Sequence, residues 1–266
     1  MNLLKEREDL EVFSFIFGAI IGSFLNVLIL KLPLKEPILI INRSKCPNCN
    51  HTIYWYHNIP LFSYICLIGK CAYCKRKISF QYFLVEFLSA IITLFLFLKL
   101  GLTQEFLFMI LLFYILIVLS FIDLKYKAVP DYLLLIALVF SFFATNFEIF
   151  EALKNSFLFT GAIVLLNFLI TFYIQNIKSK ILKDESLKTQ VALGEGDIPI
   201  FALIAIVLGI NAGVFAVFLG AFFAIIPSIY SNLVKKDIQT PFIPYLVLGF
   251  FIEYFFNLET FIKAFY

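Results

Sequence analysis

The sequence predicts an all-α polytopic membrane protein with about eight transmembrane helices and a small cytoplasmic insert between the first two. Composition is the first reason: 62% of the 266 residues are hydrophobic and 15% are charged, against about 45–50% and about 25% in soluble proteins. Repeated apolar stretches long enough to cross a bilayer are the second. The uneven placement of basic residues between these stretches is the third. A soluble globular protein cannot bury this much apolar surface, so that class is excluded.

Each span is assigned to an apolar stretch of about 17 to 25 residues. The predicted spans are 11–32, 81–99, 104–122, 131–147, 155–175, 193–209, 212–231 and 242–265. The sixth and seventh form one apolar run interrupted by Gly209, Asn211 and Gly213, so seven spans with one long or re-entrant segment remain an alternative. The charged stretch before the first span is net acidic, which predicts a retained anchor rather than a cleaved signal peptide.

Basic residues set the orientation of the eight spans. One set of alternating segments carries 16 of the 21 Lys and Arg, and the other carries 5. The larger set comprises Lys31, Lys35, Arg43, Lys45, Lys70, Lys75, Arg76, Lys77, Lys125, Lys127, Lys178, Lys180, Lys183, Lys188, Lys235 and Lys236. The positive-inside rule places this set in the cytoplasm and both termini outside, whereas seven spans would worsen the split to 14 against 7. A net charge of +3 gives no reason to expect a nucleic-acid partner.

The predicted organisation is a first span (1–32), a polar cytoplasmic insert (33–80) and a transmembrane domain (81–266). Two CxxC motifs, Cys46-Pro-Asn-Cys49 and Cys71-Ala-Tyr-Cys74, lie 21 residues apart in the insert. Two such pairs complete the tetrahedral sulfur shell that Zn(II) prefers, and an insert this small has little core of its own. We therefore predict a structural zinc bound by these four cysteines. Paired disulfides or a redox CxxC are the alternatives, and a reducing cytoplasm disfavours them.

Three other residues of the insert have simpler predictions. Cys66 lies in an apolar stretch and is expected to be a small buried residue. His51 and His57 are expected to be surface or hydrogen-bonded histidines, because four thiolates already fill a zinc shell.

Two aspartates lie at the predicted cytoplasmic ends of spans. Asp123 follows the third span and opens a short loop, and Asp197 ends Gly194-Glu195-Gly196-Asp197 at the mouth of the sixth. If these helices pack together, the carboxyl groups can share one proton, and such a pair activates water for peptide hydrolysis. The two glycines allow the backbone to approach closely.

Other interpretations of the acidic residues stay open. Asp197, before Ile198-Pro199, also fits a helix N-cap, and Asp123 also fits a solvated loop charge near Lys125 and Lys127. Asp131, which also fits an N-cap, and Glu195 are possible substitutes in an acidic pair. Glu86, inside the second span, is a separate candidate because a charge in the bilayer is costly. Gly18 and Gly22 form a GxxxG pattern that favours helix packing.

Several motifs together resemble the bacterial type IV prepilin peptidases. They are GSFLNV (22–27), RSKCPNC (43–49), WYHNIP (55–60), SY (63–64), GKCAYC (69–74), IS (78–79), VE (85–86), FIDLKYKAVPDYL (121–133), GEGD (194–197) and TPFIPYLVLG (240–249). They follow one order through nearly the whole chain, which makes the combination far more specific than any single motif.

The resemblance implies a bifunctional enzyme of the bacterial inner membrane. Such an enzyme cleaves the basic leader of type IV prepilins and pseudopilins on the cytoplasmic side and then methylates the new N-terminal amine from S-adenosyl-L-methionine. It implies that Asp123 and Asp197 are catalytic and that Cys46, Cys49, Cys71 and Cys74 bind metal. Methyl transfer follows from the resemblance alone, because the sequence has no glycine-rich nucleotide loop after a strand.

Two other classes of membrane protein share some of these features. A non-catalytic transporter or sensor would use the zinc module to dock a partner and would place charges near the middle of the membrane. A presenilin-like protease shares GxGD but would place its first aspartate inside a span and would lack the insert. The ends of the spans and the two CxxC motifs favour the prepilin peptidase.

Overall fold

A computed structural model of the chain describes residues 2–37, 44–183, 185–189, 193–230 and 240–263. For residues 2–6 and 186 it describes the backbone only. Its helices are α1 (Asn2–Lys31), α2 (Phe62–Cys66), α3 (Phe80–Leu100), α4 (Gln104–Tyr126), α5 (Asp131–Ala144), α6 (Ile149–Phe172), α7 (Ser179–Leu182), α8 (Ile198–Tyr230), α9 (Ile243–Phe256) and α10 (Leu258–Lys263). Beside these helices, the described residues form two isolated β-bridges, which lie in the insert. Arg43, Lys235 and Lys236, used above for orientation, lie outside the described residues.

The helices confirm the predicted fold class. Among the described residues, five segments are long and apolar enough to cross a membrane: Arg7–Lys31, Phe80–Leu100, Gln104–Tyr126, Ile149–Leu182 and Glu195–Tyr230. Two shorter apolar helices, Asp131–Ala144 and Ile243–Phe256, occupy the positions of the fourth and eighth predicted spans. The insert with its four cysteines lies between α1 and α3.

A bend separates the sixth and seventh predicted spans. Within α8, residues 198–208 and 210–230 are helical and meet at Gly209. The backbone of Gly209 is not helical, with a φ of 78° and a ψ of −179°. A positive φ is strained for any residue that has a Cβ, so this position favours glycine. The interruption predicted at Gly209 is therefore present, and Asn211 and Gly213 continue the helix beyond it.

The described residues of the chain divide into two compact units, Met1–Ile122 and Asp123–Tyr266. In the first unit α1 packs against α3. A Cβ on Gly22 would lie 2.1 Å from the Ser89 hydroxyl, and one on Gly18 would lie 2.5 Å from that of Thr93. The GxxxG pattern therefore serves helix packing, as predicted, because only hydrogen atoms fit at these two positions.

In the second unit α8 packs against α5, α6 and α9. Its first half is the most buried part, with Ile200, Phe201 and Leu203 almost free of solvent contact. A Cβ on Gly249 of α9 would lie 2.1 Å from the Ala216 carbonyl oxygen of α8. This close packing holds the middle of α9 against the part of α8 that follows Gly209.

Candidate active site and metal centre

Asp123 lies in the last turn of α4, directly after the buried Ile122. The prediction that Asp123 opens a loop was wrong: α4 continues to Tyr126, because Lys127 donates its N–H to the Asp123 carbonyl and extends the helical hydrogen bonding. The side chain is only 7% exposed. This burial contradicts the alternative of a solvated loop charge.

The start of α9 holds the Asp123 carboxylate. Asp123 Oδ2 accepts a hydrogen bond from the Ile243 N–H at 3.2 Å, and the Phe242 N–H also interacts with the carboxylate. The first N–H groups of a helix have no partner within the helix and attract negative charge. Pro244 in the first turn fits this arrangement, because proline has no backbone N–H and so leaves no donor without an acceptor at this position.

Asp197 ends the 3₁₀ turn Glu195–Asp197 that leads into α8. It is 8% exposed, and its Oδ2 accepts a hydrogen bond from the Gly194 N–H at 3.2 Å. The side chain thus points back toward the GEGD segment. A Cβ on Gly196 would lie 3.0 Å from Val129 Cγ2, so this glycine permits a close approach to the loop after α4.

The structure brings the two predicted aspartates together in the second unit. The Asp123 carboxylate is near enough to act electrostatically on Asp197. Asp131 is the first residue of α5 and is exposed, and Glu195 is exposed as well. Asp123 and Asp197 are therefore the buried acidic pair, and the two proposed substitutes lie on the surface.

Glu86 serves a different part of the molecule. It is buried in α3 and accepts a hydrogen bond from the Leu61 N–H at 2.8 Å, with the Ser23 hydroxyl as a second partner. Leu61 precedes α2 and has a φ of 61°, which is unusual for a residue with a side chain. Glu86 thus anchors the insert to the helix that follows it.

Sequence reasoning missed Glu253. This residue of α9 is 1% exposed, its Oε1 accepts a hydrogen bond from the Glu259 N–H at 3.0 Å, and its Oε2 finds no hydrogen-bond partner within the described part of the chain. Its isolation in an apolar stretch of α9 was the available signal. Its observed contact caps α10, which gives it a structural role.

The four cysteines of the insert converge as predicted. The Sγ atoms of Cys46, Cys49, Cys71 and Cys74 all lie within 4.8 Å of one another, and Cys46 Sγ is 3.9 Å from Cys74 Sγ. Such a cluster can hold a metal ion. Cys66 is exposed and lies outside the cluster, so the prediction of a buried Cys66 was wrong; α2 is five residues long and ends at Cys66.

The two CxxC segments share one backbone design. In each, the first cysteine donates its N–H to the carbonyl five residues later and accepts an N–H from the residue four positions later. That latter residue, Asn50 in one and Lys75 in the other, has a left-handed φ of 54° or 60°. The N–H groups of Cys49 and Asn48 lower the pKa of Cys46 to about 6, which favours the thiolate that binds metal. The spacing therefore builds two matching half-sites.

The histidines of the insert stand beside the cysteine cluster. The His51 ring lies 3.6 Å from that of Tyr73, and the His57 ring lies 5.9 Å from the same tyrosine. Both belong to an aromatic group around the second CxxC segment. His51 is exposed, as predicted, whereas His57 is half-buried and its Nδ1 finds no hydrogen-bond partner among the described residues.

Comparison with known proteins identifies the family. Residues 16–100 match the bacterial peptidase A24 N-terminal domain, and residues 110–229 match the type IV leader peptidase family. A prepilin leader peptidase/N-methyltransferase of Vibrio cholerae is 30% identical over 249 residues, covering 90% of this chain and 94% of the relative. The chain belongs to the type IV leader peptidase family. The family predicted from the motifs is confirmed.

Other relatives of the type IV leader peptidase family carry the same name. The Legionella pneumophila protein is 31% identical over 267 residues, covering 90% of this chain and 89% of the relative. The Myxococcus xanthus protein is 40% identical over 119 residues, and this match covers 45% of the chain and about a third (35%) of the relative. No solved structure matches the chain.

Proposed function

We propose that this chain cleaves the leader peptide of type IV prepilins or pseudopilins and N-methylates the new N-terminus. The buried pair of Asp123 and Asp197 carries the proposal. Both residues lie within the segment that matches the type IV leader peptidase family, and full-length relatives bear the name of both activities.

In the proposed mechanism the pair shares one proton. The ionised carboxylate removes a proton from water while the protonated carboxyl hydrogen-bonds to the scissile carbonyl, and the hydroxide forms the tetrahedral intermediate. The C–N bond then breaks, and the leaving amine takes up a proton from the pair. The N–H groups of Ile243 and Gly194 orient the two carboxyl groups, because each donates to one of them.

The proposed substrate explains the location of the pair. A prepilin anchored by an apolar helix presents its scissile bond near the membrane surface. Asp123 lies in the last turn of α4, and Asp197 lies directly before α8. The ends of spanning helices are the depth at which such a bond is reached. A transporter or sensor would need acidic groups near the middle of its spans, and, among the described residues, the two glutamates buried within apolar helices, Glu86 and Glu253, each accept a backbone N–H in a structural contact.

Zinc is the metal we propose for the cysteine cluster, with a structural role. Ligands about 2.3 Å from Zn(II) in a tetrahedron are about 3.8 Å apart, close to the 3.9 Å between Cys46 Sγ and Cys74 Sγ. Four thiolates leave no open position for substrate, which favours a structural over a catalytic site.

S-adenosyl-L-methionine is proposed as the methyl donor from the names of the relatives. The described residues contain no β-strand, so they contain no nucleotide-binding loop of the strand-to-helix kind. No residue is therefore proposed to bind S-adenosyl-L-methionine. We also propose that the protein lies in the bacterial inner membrane, with the insert and both aspartates facing the cytoplasm, since basic residues concentrate on that side.

Purified protein incubated with a type IV prepilin and S-adenosyl-L-methionine tests the function. We expect mass spectrometry to show loss of the leader and one added methyl group on the new amine. An intact prepilin after prolonged incubation with folded, metal-containing protein would contradict the peptidase. A cleaved but unmethylated product would contradict only the methyl transfer.

A further inference from the structure

The insert presents an apolar groove of about 470 Å³ to its surroundings. Tyr64, Ile65, Ile68, Phe80 and Phe83 line it, and Lys77 lies at its edge. Ile65 is 63% exposed and Ile68 is 80% exposed. A soluble surface rarely keeps a contiguous apolar patch of this kind without a partner.

The backbone holds these apolar side chains outward. In α2 the polar Ser63 is buried, and its hydroxyl accepts the Ile59 N–H and donates to the Tyr56 carbonyl. The apolar Phe62 and Ile65 of the same helix are exposed instead. The turn that follows α2 is equally constrained, because a Cβ on Gly69 would lie 2.8 Å from the Tyr64 hydroxyl oxygen. The exposed face is therefore part of the folded insert.

The segment that forms the groove carries a net positive charge. Residues 44–79 contain five basic side chains and no Asp or Glu. Four thiolates around Zn(II) would contribute −2, which leaves the metal-bound segment at +3. Lys77 lines the groove, and an antiparallel bridge pairs its backbone with that of Lys70. An apolar surface edged by lysines complements an anionic lipid surface.

The groove is continuous with a membrane span. The ring of Tyr64 lies 5.4 Å from that of Phe83, which in turn stacks 5.9 Å from Phe87 in α3. Phe87 is exposed on α3, whose residues 80–100 are long and apolar enough to cross the bilayer. The aromatic row thus leads from the groove onto the side of α3 that lipid would cover.

We propose that the insert docks on the bilayer in which the protein is embedded, with Ile65, Ile68 and Phe80 at the level of the acyl chains. Lys70 and Lys77 then lie at the phosphate groups of anionic lipids. The proposal goes beyond the peptidase activity and rests on the exposed groove, the positive charge of the insert and its continuity with α3, so its failure would leave the proposed function standing.

Tryptophan emission tests this placement, since Trp55 is the only tryptophan in the chain. In a Trp55→Phe background, Ile68→Trp places a reporter in the groove, and Asn48→Trp places a matched control on the exposed first CxxC segment. Both full-length proteins are reconstituted in vesicles of phosphatidylcholine and phosphatidylglycerol whose acyl chains carry bromine, which quenches nearby tryptophan. Bound zinc confirms that each insert is folded.

We expect bromine to quench the Ile68→Trp reporter at least about twofold more than the Asn48→Trp reporter. Equal quenching of the two reporters would overturn the proposal, because the groove would then face water or protein. Removing phosphatidylglycerol should weaken quenching at position 68, and Lys70→Gln with Lys77→Gln should abolish that lipid dependence. If quenching at position 68 stays the same without phosphatidylglycerol and in the Lys70→Gln, Lys77→Gln variant, the two lysines do not bind lipid phosphates.

Discussion

Backbone N–H groups define the environment of the important carboxylates in this protein. Ile243 donates to Asp123, Gly194 to Asp197 and Leu61 to Glu86. A main-chain donor fixes a carboxylate more rigidly than a long cationic side chain, because it has no rotamer freedom to lose. The start of α9 thereby orients Asp123, and the start of the GEGD turn orients Asp197. Glu86 binds the backbone of the insert.

The role of Glu86 can be tested by two substitutions. Glu86→Ala leaves the Leu61 N–H without its acceptor, which should lower the free energy of unfolding by about 1–3 kcal/mol. Glu86→Gln keeps a side-chain oxygen and should cost clearly less. Thermal unfolding in detergent and the rate of protease cleavage in the insert measure the effect. Equal stability of the two variants would show that the hydrogen bond contributes little.

The residues themselves could be selected from the sequence, but their partners could not. Asp123 and Asp197 stand out because both lie at the predicted cytoplasmic ends of apolar spans, where two carboxyl groups can meet and share a proton, and the four cysteines stand out because their spacing is that of a metal site. The contact of Asp123 with Ile243 joins residues 120 positions apart. No local pattern encodes such a distance, so only tertiary structure reveals it.

At the scale of elements, close packing of helices depends on glycine in both units. Gly22 allows α1 to approach α3, and Gly249 allows α9 to approach α8. The GxxxG spacing made the first contact predictable. The second contact places Gly249 against Ala216 and Gly220 of α8, which have the same spacing of small residues, but that spacing does not show which helix packs there. The helix ends were also only partly predictable, because α4 continues past Asp123 through main-chain hydrogen bonds.

Gly22→Val is expected to weaken the packing of α1 on α3. A Cβ at this position would lie 2.1 Å from the Ser89 hydroxyl and 2.7 Å from Glu86 Cα, so the helices must move apart at a cost of about 1–3 kcal/mol. Gly161→Ala in α6 is the control, since a Cβ there meets nothing within 4 Å. A thermal unfolding midpoint of Gly22→Val at or above that of the unaltered protein would contradict this packing.

The metal centre is the element of the insert whose loss should be most visible. Cys71→Ser removes one ligand of the cluster, so we expect lower bound zinc and faster proteolysis of residues 44–79. Cys66→Ser is the matched control, because Cys66 is exposed and lies outside the cluster. Zinc content is measured by atomic emission on purified protein. Full zinc content in the Cys71 variant would exclude a tetrathiolate site.

For the whole molecule, the sequence predicted the helical membrane fold from hydropathy and the orientation from charge. Hydropathy succeeds because every spanning segment must satisfy its own backbone hydrogen bonds. It was less informative at Gly209, where one apolar run contains a break set by backbone geometry. Orientation remains a prediction, since it depends on the surrounding membrane.

Thiol labelling of intact cells tests the orientation. Leu102→Cys, in the exposed turn between α3 and α4, should react with a membrane-impermeant reagent from outside. Glu195→Cys should react only after the inner membrane is opened. Both variants are made in a Cys66→Ser background, which removes the exposed native thiol outside the cysteine cluster, and that background alone gives the signal that comes from the exposed Cys49. Labelling of position 195 from outside would reverse the proposed topology.

The most direct measurement is leader cleavage by Asp123→Asn and Asp197→Asn, with Asp131→Asn as the control. An amide cannot take up the proton from water, so each of the first two variants should lose cleavage of a type IV prepilin while keeping its bound zinc. Asp131 is exposed at the start of α5, so its variant should cleave normally. Normal cleavage by either Asp123→Asn or Asp197→Asn would contradict the aspartate pair.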